Sequence, residues 1–108
     1  MNVHIHAKDL TLNDSTTAHL ENAIDTFSKF NLDITTVNVT VTAEKKGVNV
    51  EFDIHIAHTS PVVINQHDDV LDAAIDLAID RVTKSLARIH EKAVNHHNSS
   101  IKNLETLD

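Results

Sequence analysis

Val37-Asn38-Val39-Thr40-Val41-Thr42-Ala43, then Glu44-Lys45-Lys46-Gly47, then Val48-Asn49-Val50-Glu51-Phe52-Asp53-Ile54-His55-Ile56 is the stretch that decides the fold. Apolar and polar residues alternate on both sides of the four-residue break. That is the period of two half-buried strands. Gly47 is the only glycine in the chain. At the end of the break it predicts a hairpin turn with a left-handed residue.

Working outward, Val3, Ile5 and Ala7 alternate with Asn2, His4 and His6, which predicts an earlier strand. Asn13 or Asp14 can cap a helix. Leu20, Ala23, Ile24, Phe27 and Phe30 then recur at helical spacing, and Asn31 is a stop. After the hairpin, Thr59-Ser60-Pro61 is a turn, and Val62 to Asn65 is a short fourth strand. A long helix is expected from about Asp69 to about His96. Residues 1–97 then form one domain, and 98–108 form a flexible C-terminal tail.

The order is β-α-β-β-β-α. Each strand has one apolar face, so both helices are expected on one side of a mainly antiparallel four-stranded sheet. The fold class is α+β.

The totals bound the function. The chain has 108 residues, the size of one domain, with no Cys and a formal net charge of −7. Without cysteine there is no disulfide framework and no thiolate chemistry. No signal peptide pattern opens the sequence, and no apolar run reaches membrane-span length, so a soluble cytoplasmic protein is expected. Net acidity argues against a polyanion partner, but binding depends on where charges lie.

At about 100° per residue the last helix divides into three faces. Leu71, Ile75, Ala78, Val82, Leu86, Ile89 and Ala93 are expected on the sheet. Arg81, Lys84, Arg88 and Lys92 fall to one side, and Asp69, Asp72, Asp76 and Asp80 to the other. Acid early and base late in a helix also suit its dipole without any function. The four cations nevertheless span about 16 Å of helix and can meet a series of phosphates. Lys45 and Lys46, at the hairpin tip, can add a second contact.

Other constellations are weaker. His4 and His6 share a strand face, with His55, Asp53 and Glu51 expected on the same side. Carboxylate and imidazole can bind zinc, but no helical HxxxH pair accompanies them. Asp53 with Glu51, or Ser60 near His58, does not make a hydrolytic pocket, and there is no GxSxG or P-loop. The three Phe are expected in the core, which removes the stacking platform of single-strand readers. No cofactor and no small-molecule substrate are expected. Nor is an enzyme.

The order of elements with these residues resembles the ribosome hibernation-promoting and ribosome-associated inhibitor family of bacteria, also called the sigma-54 modulation protein family. The likeness spans roughly residues 1–92. Ile5, Leu10, Leu12, Leu20, Phe27, Phe30, Val37, Val39, Val41 and Glu44-Lys45 follow the family in the first half. Ala74-Ile75-Asp76, Ile79-Asp80-Arg81, Lys84, Leu86, Arg88 and Lys92 follow its second helix. Ala7, Ala23 and Thr26 depart from the pattern.

The resemblance implies a double-stranded-RNA-binding-domain-like fold. It also implies binding to the small ribosomal subunit through ribosomal RNA, blocking the messenger and transfer RNA path under stress or in stationary phase. Carried over by position, RNA contact falls on Lys45, Arg81, Lys84, Arg88 and Lys92, with Lys8, Lys29 and Lys46 as outlying positions. Whether ribosomes are also paired stays open. The alternative is a protein-interaction module that uses the acidic helix flank or the open sheet face.

Overall fold

In the computed structural model, residues 1–102 are described for their backbone and residues 1–93 for their side chains. Four strands, β1 (Asn2–Lys8), β2 (Ile34–Ala43), β3 (Val48–Ile56) and β4 (Val62–Asp68), form one sheet in the order β1-β2-β3-β4. Helix α1 (Asp14–Asp25) and a 3-10 turn (Thr26–Phe30) lie between β1 and β2, and helix α2 (Leu71–Lys102) follows β4.

The sheet is mixed. β2-β3 and β3-β4 are antiparallel, but β1 runs parallel to β2. This corrects the mainly antiparallel expectation in one pairing. A hairpin reverses the chain, whereas the intervening α1 carries it back to start β2 in the direction of β1.

Local signals act where the sequence places them. The Asn13 side chain accepts from the Thr16 amide at 2.7 Å and caps α1. Asn31 takes a left-handed conformation (φ 55°) and ends the 3-10 turn. Gly47 has φ 93°, and a Cβ there would sit 2.4 Å from the Asp68 carbonyl oxygen. Both strain and collision oppose a side chain. Gly47→Ala is therefore expected to lower the unfolding free energy by on the order of 1–3 kcal/mol, read as an earlier urea midpoint with unchanged slope.

The core lies between sheet and helices. Val37, Val39 and Val41 of β2 and Val50, Phe52 and Ile54 of β3 are fully buried, as are Leu20 of α1 and Phe27 of the 3-10 turn. From α2, Ala74, Ile75, Ala78, Val82 and Leu86 are buried against them. Phe27 meets Phe52 edge to face at 6.4 Å between centroids. Phe30 is only half-buried, with Lys29 Nζ 5.2 Å from its ring centroid, which corrects the expectation of three core Phe.

Other departures have simple causes. Val3 and Ala7 face the helix side of the sheet but are exposed, because β1 is an edge strand that α1 covers incompletely. β4 runs on to Asp68, since Gln66 and His67 keep pairing with Val50 and Asn49. Asp69 precedes α2 rather than opening it; Asp68 Oδ1 accepts from the Val70 amide at 3.0 Å. Ala93 is exposed, because α2 has by then passed the end of the sheet. The helix continues past His96 to Lys102, as neither Gly nor Pro interrupts it. The rest of the expected tail, 103–108, lies outside the described residues.

Candidate nucleic-acid interface

The three faces of α2 acquire distinct neighbours. Its apolar face lies on β3 and β4. Its basic face turns to the outer edge of β4, where Ile64, Arg81, Lys84, Ser85 and Arg88 line a shallow depression. Its acidic face turns to α1. Asp72 and Asp76 share a second depression with Asn13, Ser15, Thr16 and His19.

All four stripe cations are exposed. They are not equivalent. Arg81 Nη1 donates to the Asn65 carbonyl at 2.7 Å and to Gln66 Oε1 at 3.1 Å, so this guanidinium fastens α2 to β4. Its other N–H groups still leave capacity for an anion. Lys84 pairs with Asp80 at 3.0 Å, one helical turn back. Such an exposed pair is weak and readily exchanged. Lys92 lies beside Thr59 and Ser60, beyond the end of the sheet.

The remaining candidates are not gathered onto this stripe. Lys45 and Lys46 are exposed at the β2-β3 hairpin tip, and Lys8 ends β1 opposite Thr42 near the same end of the sheet. That is the end where α2 begins; the stripe runs toward the opposite one. Lys29 stands in the 3-10 turn ahead of β2, against Phe30. The eight positions thus form one line on α2, one group at the hairpin end, and one isolated lysine.

Sequence reasoning did not find what fixes the hairpin end. His67 Nε2 lies 2.6 Å from the Lys46 carbonyl oxygen and 3.6 Å from Glu44 Oε1. The first contact is a hydrogen bond from the His67 N–H in the tautomer that bears the proton there. The signal was available only as register, because His67 pairs with Asn49, next to the turn.

The acidic flank is partly occupied by the chain itself. His19 Nε2 is 2.7 Å from Asp76 Oδ1, joining α1 to α2, and Asp80 faces Lys84. Both contacts reduce what that flank offers a partner.

On the opposite face of the sheet, register places side chains in cross-strand rows. His4, Asn38, Asp53 and Val63 form one row, and His6, Thr40, Glu51 and Asn65 the next. His55 lies 3.4 Å from Asp53. Within one chain, no group of three His, Asp or Glu could hold a single ion among the described residues. Nor is any helix among them long and apolar enough to cross a membrane.

Comparison with known proteins places this geometry in a family. The chain is 30% identical over 94 residues, 87% of each protein, to a ribosome hibernation promoting factor of Azotobacter vinelandii. Two solved structures share the fold. The N-terminal domain of Protein Y from Thermus thermophilus superposes with a TM-score of 0.72 at 22% identity, over 82% of this chain and 99% of that one. A ribosomal subunit interface protein from Coxiella burnetii gives 0.70 at 11% identity, over 82% and 97%. With its residues 3–94 matching the family profile from β1 into α2, the chain belongs to the Sigma 54 modulation protein / S30EA ribosomal protein family.

Proposed function

We propose that the domain is a non-enzymatic hibernation factor that binds the small ribosomal subunit in the cytoplasm and closes the path of messenger and transfer RNA under stress or in stationary phase. The segregation of charge on α2 carries this reading. A protein of net charge −7 nevertheless presents Arg81, Lys84, Arg88 and Lys92 together on the β4 side. Asp72 and Asp76 lie toward α1, Asp76 already in contact with His19, and Asp80 is paired with Lys84. Family membership and the name of the Azotobacter relative support the ribosome as partner.

The stripe meets phosphates rather than bases. Arg grips a phosphate with two N–H groups, while Lys supplies a point charge. The domain has no Trp or Tyr, and two of its three Phe are fully buried, so it has little to stack on a base. Recognition then rests on the shape of folded RNA and its backbone. Lys8, Lys45 and Lys46 form a second contact at the hairpin end, and Lys29 an outlying one.

Cosedimentation with purified small subunits at graded salt tests the reading. Each phosphate contact releases counterions, so three or four contacts give a log–log salt slope of roughly −2 to −4. Prior loading of messenger and transfer RNA is expected to exclude the protein. A flat salt response, or co-binding with transfer RNA, would overturn it in favour of a protein-docking module.

A further inference from the structure

The two edges of the sheet are treated differently. β4 is covered by α2 and held by Arg81 through the Asn65 carbonyl. β1 is the other edge, and its seven residues pair with β2 in unbroken register. It holds neither Pro nor Gly, and its only Lys, Lys8, comes at its last position. Such an edge is a template for another strand. Its helix-side residues are under-buried, with Val3 39% exposed and Ile5 only half-buried.

On the opposite side of β1, exposed His4 and His6 stand with ring centroids 6.3 Å apart and nearly parallel. Two imidazoles do not complete a metal site; a tetrahedral structural site takes four ligands. The strand itself supplies the others when a second copy adds to it. Full antiparallel overlap of residues 2–8 with the same residues of another copy centres on Ile5. His4 then faces His6 of the second copy, and His6 faces its His4. All four lie on one side of the joined sheet. Directly opposed Cα atoms in such a pair are about 4.5–5.5 Å apart, and alternate residues of a strand are separated by about 6.7 Å. Four imidazoles at the corners of that rectangle can turn toward one ion on the twofold axis.

We propose that β1 is a metal-dependent self-association edge: one zinc-class divalent cation, held by His4 and His6 of two copies, joins two sheets into one. The borderline-soft class follows from an all-imidazole donor set without carboxylate. On the helix side of the seam, Val3 and Ile5 of the two copies close against each other. Glu21 and Asp25 line the groove beside them. These acids repel their counterparts in the second copy, so the cation decides the equilibrium rather than merely decorating it. The occupant is a second copy because the same strand, added antiparallel, brings the two missing imidazoles to the right positions.

Untagged protein is titrated with zinc chloride and its mass read by light scattering after gel filtration. The expected result is a shift from the 12.0 kDa chain to about twice that mass, complete near one zinc per two chains and reversed by EDTA. His4→Asn with His6→Asn, two exposed changes outside the core, is expected to stay at the single-chain mass. A mass unchanged by excess zinc would overturn the proposal. So would doubling that survives in the double variant, or doubling already present in EDTA.

Discussion

Replacing Lys84, Arg88 and Lys92 together with Glu is expected to abolish cosedimentation with small ribosomal subunits while leaving the thermal midpoint of the domain nearly unchanged. The three side chains are exposed, and no core contact depends on their charge. Lys84 loses only its exposed pairing with Asp80. On the proposed reading, binding loses three phosphate contacts and gains three repulsions. Neutral replacement by Gln is the graded form. It should reduce the magnitude of the salt slope by about two to three. Arg81 is left out of the triple variant because it fastens β4 to α2. Removing it would confound docking with folding. Undiminished binding by the triple variant would transfer the interface to the hairpin-end lysines.

The largest stability effect is expected at Phe52. It is fully buried at the middle of β3, between Val39 of β2 and Ile64 of β4. Its ring meets Phe27, so it ties the sheet to the segment after α1. Phe52→Ala is expected to cost about 3–5 kcal/mol through lost transfer energy and a residual cavity. A domain of this size has a total stability of about 5–15 kcal/mol. Chemical denaturation should therefore show a midpoint displaced by about a fifth or more, or a chain largely unfolded at 37 °C. A loss below about 1 kcal/mol would mean that the neighbouring Val and Ile collapse into the space.

The strands were legible because burial on one side writes itself into every second residue. Val37 to Ala43 and Val48 to Ile56 state which face is inward, and Gly47 states where the chain turns. Strand direction is not written in that alternation. Val3, Ile5 and Ala7 read the same whether β1 runs with β2 or against it; only the crossover through α1 decides. Edge position is equally silent, so Val3 and Ala7 read as core and prove exposed.

The α2 faces were legible from spacing along one helix. Their partners were not, since those come from residues distant in sequence. Arg81 finds Asn65 and Gln66 through the path of β4, and Asp76 finds His19 from α1, 57 positions away. The end of α2 was misjudged because Asn, His and Ser weaken a helix without stopping it.

The separation of charge on α2 also governs how the domain arrives at a partner. Its monopole is negative, so a distant polyanion repels it. Asp72 and Asp76 lie on one flank of α2 and Arg81, Arg88 and Lys92 on the other, with the Asp80–Lys84 pair between them, which gives this helix a lateral asymmetry of charge. In dilute salt the Debye length is about 30 Å, and a partner senses the whole charge; at physiological ionic strength it is about 8 Å, and only the facing flank counts. Repulsion of the sum and attraction of one flank together act as an orientation filter. For the RNA partner proposed above, encounters that present the α1 side are expected to be disfavoured and those that present the β4 side favoured. On that reading the acids that face α1 are expected to slow misaligned approaches, so that replacing Asp72 with Asn raises the rate of non-productive encounter without changing the docked contacts.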